Sequence, residues 1–372
     1  MKEEKPVYYT ERKQLLRCYD AQKRPYAFRA ENTEDFFKWK KQSREMLRDI
    51  MGFSLLEPCC PAFRKTGESR QNGFRRIKGI LQTEPEIFMP LYLLVPDGLK
   101  EGEKRPCVIA PHGHGAGGKD SVAGVLENPA VRGAAEKYNC ACGVDFVKQG
   151  YVVFCPDARG SGERREPRQQ GSEAEKVLSS SCDMLNFAAV SLGGSLAGMW
   201  TWDLMRLIDF AQSLPFCDGS RVACCGFSGG GLQTLWLAAL DDRVTCAVIS
   251  GYFHGYRDSI LSTNFCGCNF VPHLWQNMDL CDVAALIAPR PLLIESGSRD
   301  ELNGARGLRD VDEQFARLQK AYRLFSRQDF LHHFVFDGVH RWNGSETGAF
   351  LKLYLGQHRT EQDVTKSGKI KV

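Results

Sequence analysis

The 372 residues carry 49 lysines and arginines against 45 aspartates and glutamates, a net charge of +4. Neither sign dominates, which argues against a nucleic-acid or membrane-surface partner held by bulk charge. With 43% hydrophobic and 25% charged residues the composition is that of a globular chain able to bury a sizeable core. No run of eighteen apolar residues occurs, so no membrane span is expected. The opening MKEEKPVYYTERK lacks the apolar centre of a secretory leader. Fifteen cysteines, an odd number spread along the chain, then point to reduced thiols and a cytoplasmic setting.

Residues 1–72 are charged, aromatic and helix-prone. Asn32 has the chemistry of a helix N-cap with Asp35 three residues on, and Gly52 is placed to end that helix. Phe36, Trp39, Leu47 and Ile50 fall near one face, so the segment is expected to be a helical extension packed on the main domain. From Gly73 the texture changes, and residues 73–360 read as one domain. Short apolar strands are expected at Phe74–Gln82, Phe88–Val95, Pro106–Ala110, Tyr151–Cys155, Arg221–Cys225, Val244–Ser250, Pro291–Glu295 and His333–Phe336. Helical stretches such as Leu196–Gln212 and Gly231–Leu240 lie between them. This alternation predicts an α/β architecture, a mostly parallel eight-stranded sheet flanked by helices whose first two strands form an antiparallel edge. Arg164, Arg165 and Arg168, interrupted by Glu163, Glu166 and Pro167, read as a solvated loop. Residues 361–372 are expected to be a disordered tail.

The chemistry enters at RVACCGFSGGG, residues 221–231. An apolar strand runs into Gly226-Phe227-Ser228-Gly229-Gly230 and straight on into a helical pattern, the context a nucleophile elbow requires. A serine on so tight a turn projects its hydroxyl above the sheet, and glycines beside it remove Cβ atoms that would collide. Ser228 is therefore the expected nucleophile. VIAPHGHGAGGK, residues 108–119, also leaves a buried strand into a glycine-rich loop. Such a loop lets backbone amides converge within ~3 Å of one point, as an oxyanion hole demands. The amides assigned to it are those of Gly229 and His114, with Gly113 and Gly115 as near alternatives.

In α/β hydrolases the order along the chain is serine, acid, histidine. Asp300 lies in the turn beyond the strand Pro291–Glu295 and is the expected acid, with Glu295 as its rival. His340, in Asp337-Gly338-Val339-His340 after the last strand, is the expected base. His332 and His333 belong to that strand and should pack structurally. The pairs Cys140/Cys142 and Cys266/Cys268 suggest zinc at first sight, but a single-residue spacer departs from the usual ribbon spacing, and the thiols read as small buried residues. His112 is expected to orient its loop and His114 to line the pocket. No metal and no cofactor is expected.

With these residues placed, the chain resembles the acetyl xylan esterase and dienelactone hydrolase-like branch of the α/β hydrolases. The resemblance rests on HGHG at 112–115, PDARGSGER at 156–164, TWDLMRLIDF at 201–210, GFSGG at 226–230, APRPLLIESGSRD at 288–300 and DGVH at 337–340. The leader before Gly73 also looks like the N-terminal segment of the acetyl xylan esterase-like subgroup. The resemblance implies an α/β-hydrolase fold and a Ser228-Asp300-His340 mechanism on carboxylic esters, commonly acylated sugars. Dienelactone hydrolase proper uses a cysteine nucleophile, so the serine here puts lactone specificity in doubt. Asp157 and Arg159 read as scaffold, the carboxylate binding backbone amides. Residues 251–282 form a pocket or lid insertion whose Tyr252, His254, Phe270 and Trp275 are candidate substrate contacts. The partner implied is a small-molecule ester, with neither nucleic acid nor membrane and with a homo-oligomer left open. Two other readings stand beside it. A prolyl-oligopeptidase-type serine peptidase would need a β-propeller that ~70 residues cannot build, and an inactive binding module would not need the intact serine, acid and histidine.

Overall fold

A computed structural model describes residues 8–263 and 265–356, and the tail expected at 361–372 lies outside the described residues. Nine strands form one sheet: β1 Phe63–Gln71, β2 Phe74–Glu84, β3 Ile87–Pro96, β4 Arg105–Ile109, β5 Val152–Pro156, β6 Cys217–Phe227, β7 Val244–Ser250, β8 Leu292–Gly297 and β9 Leu331–Phe336. Their spatial order is β1-β2-β3-β5-β4-β6-β7-β8-β9. The first three strands pair antiparallel and β3 meets β5 antiparallel, while every pair from β5 to β9 is parallel.

The expected count of eight strands is corrected to nine. The extra one, β1, falls inside the segment read as a helical extension. Its sequence FRKTGESRQ has no alternation of apolar and polar residues because it is an outer strand with both faces largely wet. Charges at Arg64, Lys65, Glu68 and Arg70 suit a free edge, where they discourage pairing with another chain. Phe63 anchors it, its ring stacked on Phe210 with centroids 4.7 Å apart.

The inner strands are mostly apolar, as expected of parallel strands covered by helices on both faces. β4, β5 and β7 bury nearly every residue. Leu196–Ser213 and Gly229–Leu240 form the helices behind β6, and all twelve residues of the second are buried. That second helix carries no polar face, so its stability comes from packing on every side.

The leading segment packs against the end of the same helix. Thr33–Ile50 is helical, and the Asn32 side chain accepts the Asp35 amide at 2.9 Å as the cap pattern required. Its face buries Phe36 and Leu47. Arg44 donates to the Ala239 carbonyl at 2.8 Å and holds Asp242 through two nitrogens at 2.6 and 2.7 Å. Arg48 reaches the Leu240 carbonyl at 3.2 Å. Two guanidinium groups thus meet the carbonyl end of the Gly229–Leu240 helix, the end where positive charge is favourable.

Candidate active site

Ser228 stands between β6 and the Gly229–Leu240 helix with φ 56° and ψ −120°. A non-glycine residue avoids such a conformation unless its surroundings impose it. Here they do: the Ser228 amide donates to the Ser250 carbonyl on β7 at 2.9 Å. A Cβ on Gly226 would lie 2.2 Å from the Gly230 carbonyl oxygen, and one on Gly230 would lie 2.2 Å from that of Pro111. The motif's glycines are therefore space requirements imposed by backbone on backbone.

His340 follows β9 and returns over the sheet edge. Its Nε2 is 2.9 Å from Ser228 Oγ, and its Nδ1 is 2.7 Å from Asp300 Oδ2. The two loops that bring acid and base together are tied by backbone: the Arg299 amide donates to Gly338 at 2.8 Å and that of Ser298 to Phe336 at 2.9 Å. Asp300 is buried, and its second oxygen accepts the Leu302 amide at 2.9 Å, which fixes the carboxylate plane. The imidazole packs on Phe227, ring centroids 4.5 Å apart. Ser228 and His340 stay partly exposed, so a solute can reach the pair while its orienting acid is shielded.

Glu295, the rival acid, sits elsewhere. It is wholly buried in β8, accepts the Gly344 amide at 3.2 Å and the Thr347 hydroxyl at 3.2 Å, and so anchors the segment following His340. Burial raises its pKa. His332 and His333 lie away from the serine, their Nε2 atoms 3.1 Å from Tyr354 Oη and Ser296 Oγ respectively.

The glycine loop runs alongside. A Cβ on Gly113 would stand 3.3 Å from Ser228 Cβ, and one on Gly229 would meet the His114 ring at 2.6 Å. Among the described residues neither the His114 nor the Gly229 amide donates to a protein acceptor. His112 is buried; its Nδ1 lies 2.8 Å from the Gly113 carbonyl, and its Nε2 accepts the Ala158 amide at 3.1 Å. Those two bonds specify a neutral ring, and burial lowers its pKa. Asp157 accepts the amides of Lys119 at 2.8 Å and Glu163 at 3.0 Å. It also pairs with the Lys119 ammonium at 2.8 Å, both groups being buried. Burial works against its charge, but Lys119 keeps its pKa below the usual carboxylate value. Arg159 and Arg164 both pair with Asp203.

The candidate substrate residues divide into two places. Tyr252 and His254 are buried beneath the loops, Tyr252 donating its hydroxyl to Asn269 at 2.8 Å. The His254 ring meets Tyr252 at 5.1 Å and Phe265 at 5.8 Å, and both its nitrogens lack partners among the described residues. Burial drives its pKa to about 4. Phe270 and Trp275 instead line a cavity of about 280 Å³ with Leu15, Cys18 and Tyr19 of the helix Arg12–Asp20, and none of Ser228, Asp300 and His340 borders it.

Sequence reading missed one cluster near the serine. His114, Cys182, Cys266 and Cys268 bring one ring nitrogen and three sulfurs within 4.8 Å of one another. Cys182 begins the helix Cys182–Ser191 and had no signal of its own. The Cys266/Cys268 pair joins Cys182 and His114 in this cluster, which Cys140 and Cys142 do not share.

An elbow serine, a histidine after the last strand and a parallel sheet of this order define an α/β hydrolase. The chain belongs to the Abhydrolase family, whose model matches residues 13–336. It is 28% identical over 228 residues, 60% of this chain and 70% of the relative, to YtaP of Bacillus subtilis (strain 168), which is named as a candidate hydrolase. Among solved structures it is similar to a candidate acetyl xylan esterase of Bacteroides fragilis NCTC 9343, with TM-score 0.70, 19% identity, and 90% of this chain and 84% of that one covered. A glucuronoyl esterase of Solibacter usitatus gives TM-score 0.65 at 15% identity, covering 95% and 99%. The α/β-hydrolase resemblance seen in the motifs therefore holds for the fold. No helix among the described residues is long and apolar enough to cross a membrane.

Proposed function

We propose that the protein is a serine carboxylic ester hydrolase working through a Ser228-Asp300-His340 triad, and that it deacylates acetylated or otherwise acylated carbohydrates or related small esters. The observation that carries this reading is the continuous chain from Ser228 Oγ through both nitrogens of His340 to Asp300, with spacings of 2.9 and 2.7 Å. His340 takes the hydroxyl proton as Ser228 attacks the ester carbonyl, and Asp300 holds the ring in the tautomer that leaves Nε2 free to accept. The amides of Gly229 and His114 receive the oxyanion, assisted by the positive end of the Gly229–Leu240 helix. His340 returns the proton to the leaving alcohol, and water releases the acid by the same route. No step calls on a cofactor. The carbohydrate preference draws on the fold neighbours named above and on the aromatic character of residues 251–282.

Ser228→Ala should abolish hydrolysis of p-nitrophenyl acetate, a loss of about 10⁴–10⁶ in kcat by comparison with other triads. Retained turnover would remove Ser228 from the mechanism. Comparing specificity constants for acetylated sugars, feruloyl esters, longer-chain esters and short peptides then tests the substrate class: an acylated sugar should lead the panel, and a peptide leading it would contradict the ester reading.

A further inference from the structure

Three thiols and an imidazole converge beside the glycine loop, yet the triad uses none of their side chains. His114 Nε2 lies 3.3 Å from Cys268 Sγ and 3.6 Å from Cys182 Sγ. A zinc ion with bonds of about 2.3 Å to sulfur and about 2.05 Å to nitrogen has tetrahedral nitrogen–sulfur edges of about 3.6 Å and sulfur–sulfur edges of about 3.8 Å. The cluster's spread, with every ligand atom within 4.8 Å of the others, closes on that figure with small adjustments. Cys182 and Cys268 are buried, and Cys266 and His114 half-buried.

The surroundings are built for it as well. The Asp183 carboxylate accepts the Gly267 amide at 2.6 Å, which pins the turn between Cys266 and Cys268 to the residue following Cys182. The Asn269 side-chain amide donates to the Cys266 carbonyl at 2.9 Å and points at Cys268 Sγ from 3.7 Å, the kind of N–H···S contact that supports a thiolate. A disulfide would consume two of the sulfurs and leave the third thiol and the imidazole without purpose. Four donors from three distant stretches of chain match a closed tetrahedral centre instead.

We infer that His114, Cys182, Cys266 and Cys268 form a structural Cys₃His zinc site. Binding displaces one proton from each of the three thiols to solvent, and no electron moves. With all four positions taken by protein the ion activates no water. It clamps the loop that carries His114 to the segment Cys266–Cys268 and to the start of the helix Cys182–Ser191. Nδ1 and Cε1 of the same imidazole face Gly229, so the ion fixes one wall of the hole in which the oxyanion is proposed to sit.

Metal content decides the matter without any ester substrate, so its outcome is independent of the proposed activity. Protein purified under reducing, oxygen-free conditions should retain about one zinc per chain after desalting. Metal-free protein given cobalt(II) should show the intense visible bands of a tetrahedral thiolate complex. Cys266→Ser should weaken cobalt binding by more than about 100-fold, beyond the usual cost of losing an outer-shell partner, while Cys18→Ser, at an exposed thiol of the helix Arg12–Asp20, should leave it unchanged. The wild-type spectrum stands as a test even where a cysteine variant fails to fold. Negligible zinc together with only a weak octahedral cobalt spectrum would overturn the site. So would undiminished binding in Cys266→Ser, or a disulfide among these cysteines that persists in protein purified under those reducing, oxygen-free conditions.

Discussion

Asp300→Asn separates the proposed acid from its rival with little change in shape. In the native arrangement Asp300 Oδ2 accepts from His340 Nδ1 at 2.7 Å, leaving Nε2 as the acceptor for the serine proton. Asparagine can keep its oxygen on the Leu302 amide, where Oδ1 now sits at 2.9 Å. Its NH₂ group then faces Nδ1 and donates to it. The ring proton moves to Nε2, which meets the Ser228 hydroxyl as a donor and can no longer accept. The loss expected is about 10⁴ in kcat, or about 5.5 kcal/mol of transition-state stabilisation. Glu295→Gln, which keeps an acceptor for Gly344 and Thr347, should stay within a few-fold of wild type. Steady-state hydrolysis of p-nitrophenyl acetate by both variants, with circular dichroism to confirm folding, makes the comparison. An Asp300→Asn enzyme retaining a tenth of its activity, or a Glu295→Gln enzyme losing as much as Asp300→Asn is expected to lose, would refute the reasoning.

Two further outcomes follow from geometry. Gly226→Ala places a methyl 2.2 Å from a backbone oxygen that has nowhere to go, so it should cost at least about 2 kcal/mol in urea unfolding and most of the esterase activity; a variant as stable and active as wild type would contradict the elbow geometry. His254 is neutral in the fold, its pKa carried by burial from 6.5 to about 4, with Asp300, His340 and Asp279 as its titratable neighbours. Its neutral form supplies stability present above pH 6.5 and lost as pH falls toward 4, a change of about 3 kcal/mol. His254→Phe should therefore flatten the fall of stability across that window, and chemical unfolding at pH 7 and pH 4.5 with an unchanged slope would disprove it.

How much of this was legible beforehand depended on whether the information was local. The elbow is local: strand, glycines, serine and helix adjoin, so Ser228 could be read from eleven residues. His340 and Asp300 could be placed because chain order and strand ends confine them, and in the structure His340 lies against Ser228 while Asp300 lies against the other nitrogen of His340. Glu295 could be weighed against Asp300 only by position, whereas its anchoring of Gly344 and Thr347 needed the third dimension. β1 escaped because an edge strand with both faces wet has no period to detect. The grouping of His114 with Cys182, Cys266 and Cys268 escaped for the opposite reason: the spacing of Cys266 and Cys268 argues against a metal, Cys182 carries no signal of its own, and only folding brings the four donors together. The pairing of Lys119 with Asp157 is of the same kind, a buried charge whose partner lies 38 residues away.

The central claim is that the hydroxyl at 228 is activated by the imidazole at 340, and covalent labelling reads this most directly. A fluorophosphonate probe should modify the folded protein once per chain, and peptide mass analysis should place the adduct on Ser228. His340→Ala should slow labelling by several orders of magnitude. An adduct on another residue, or equal labelling rates in the presence and absence of the histidine, would contradict the account.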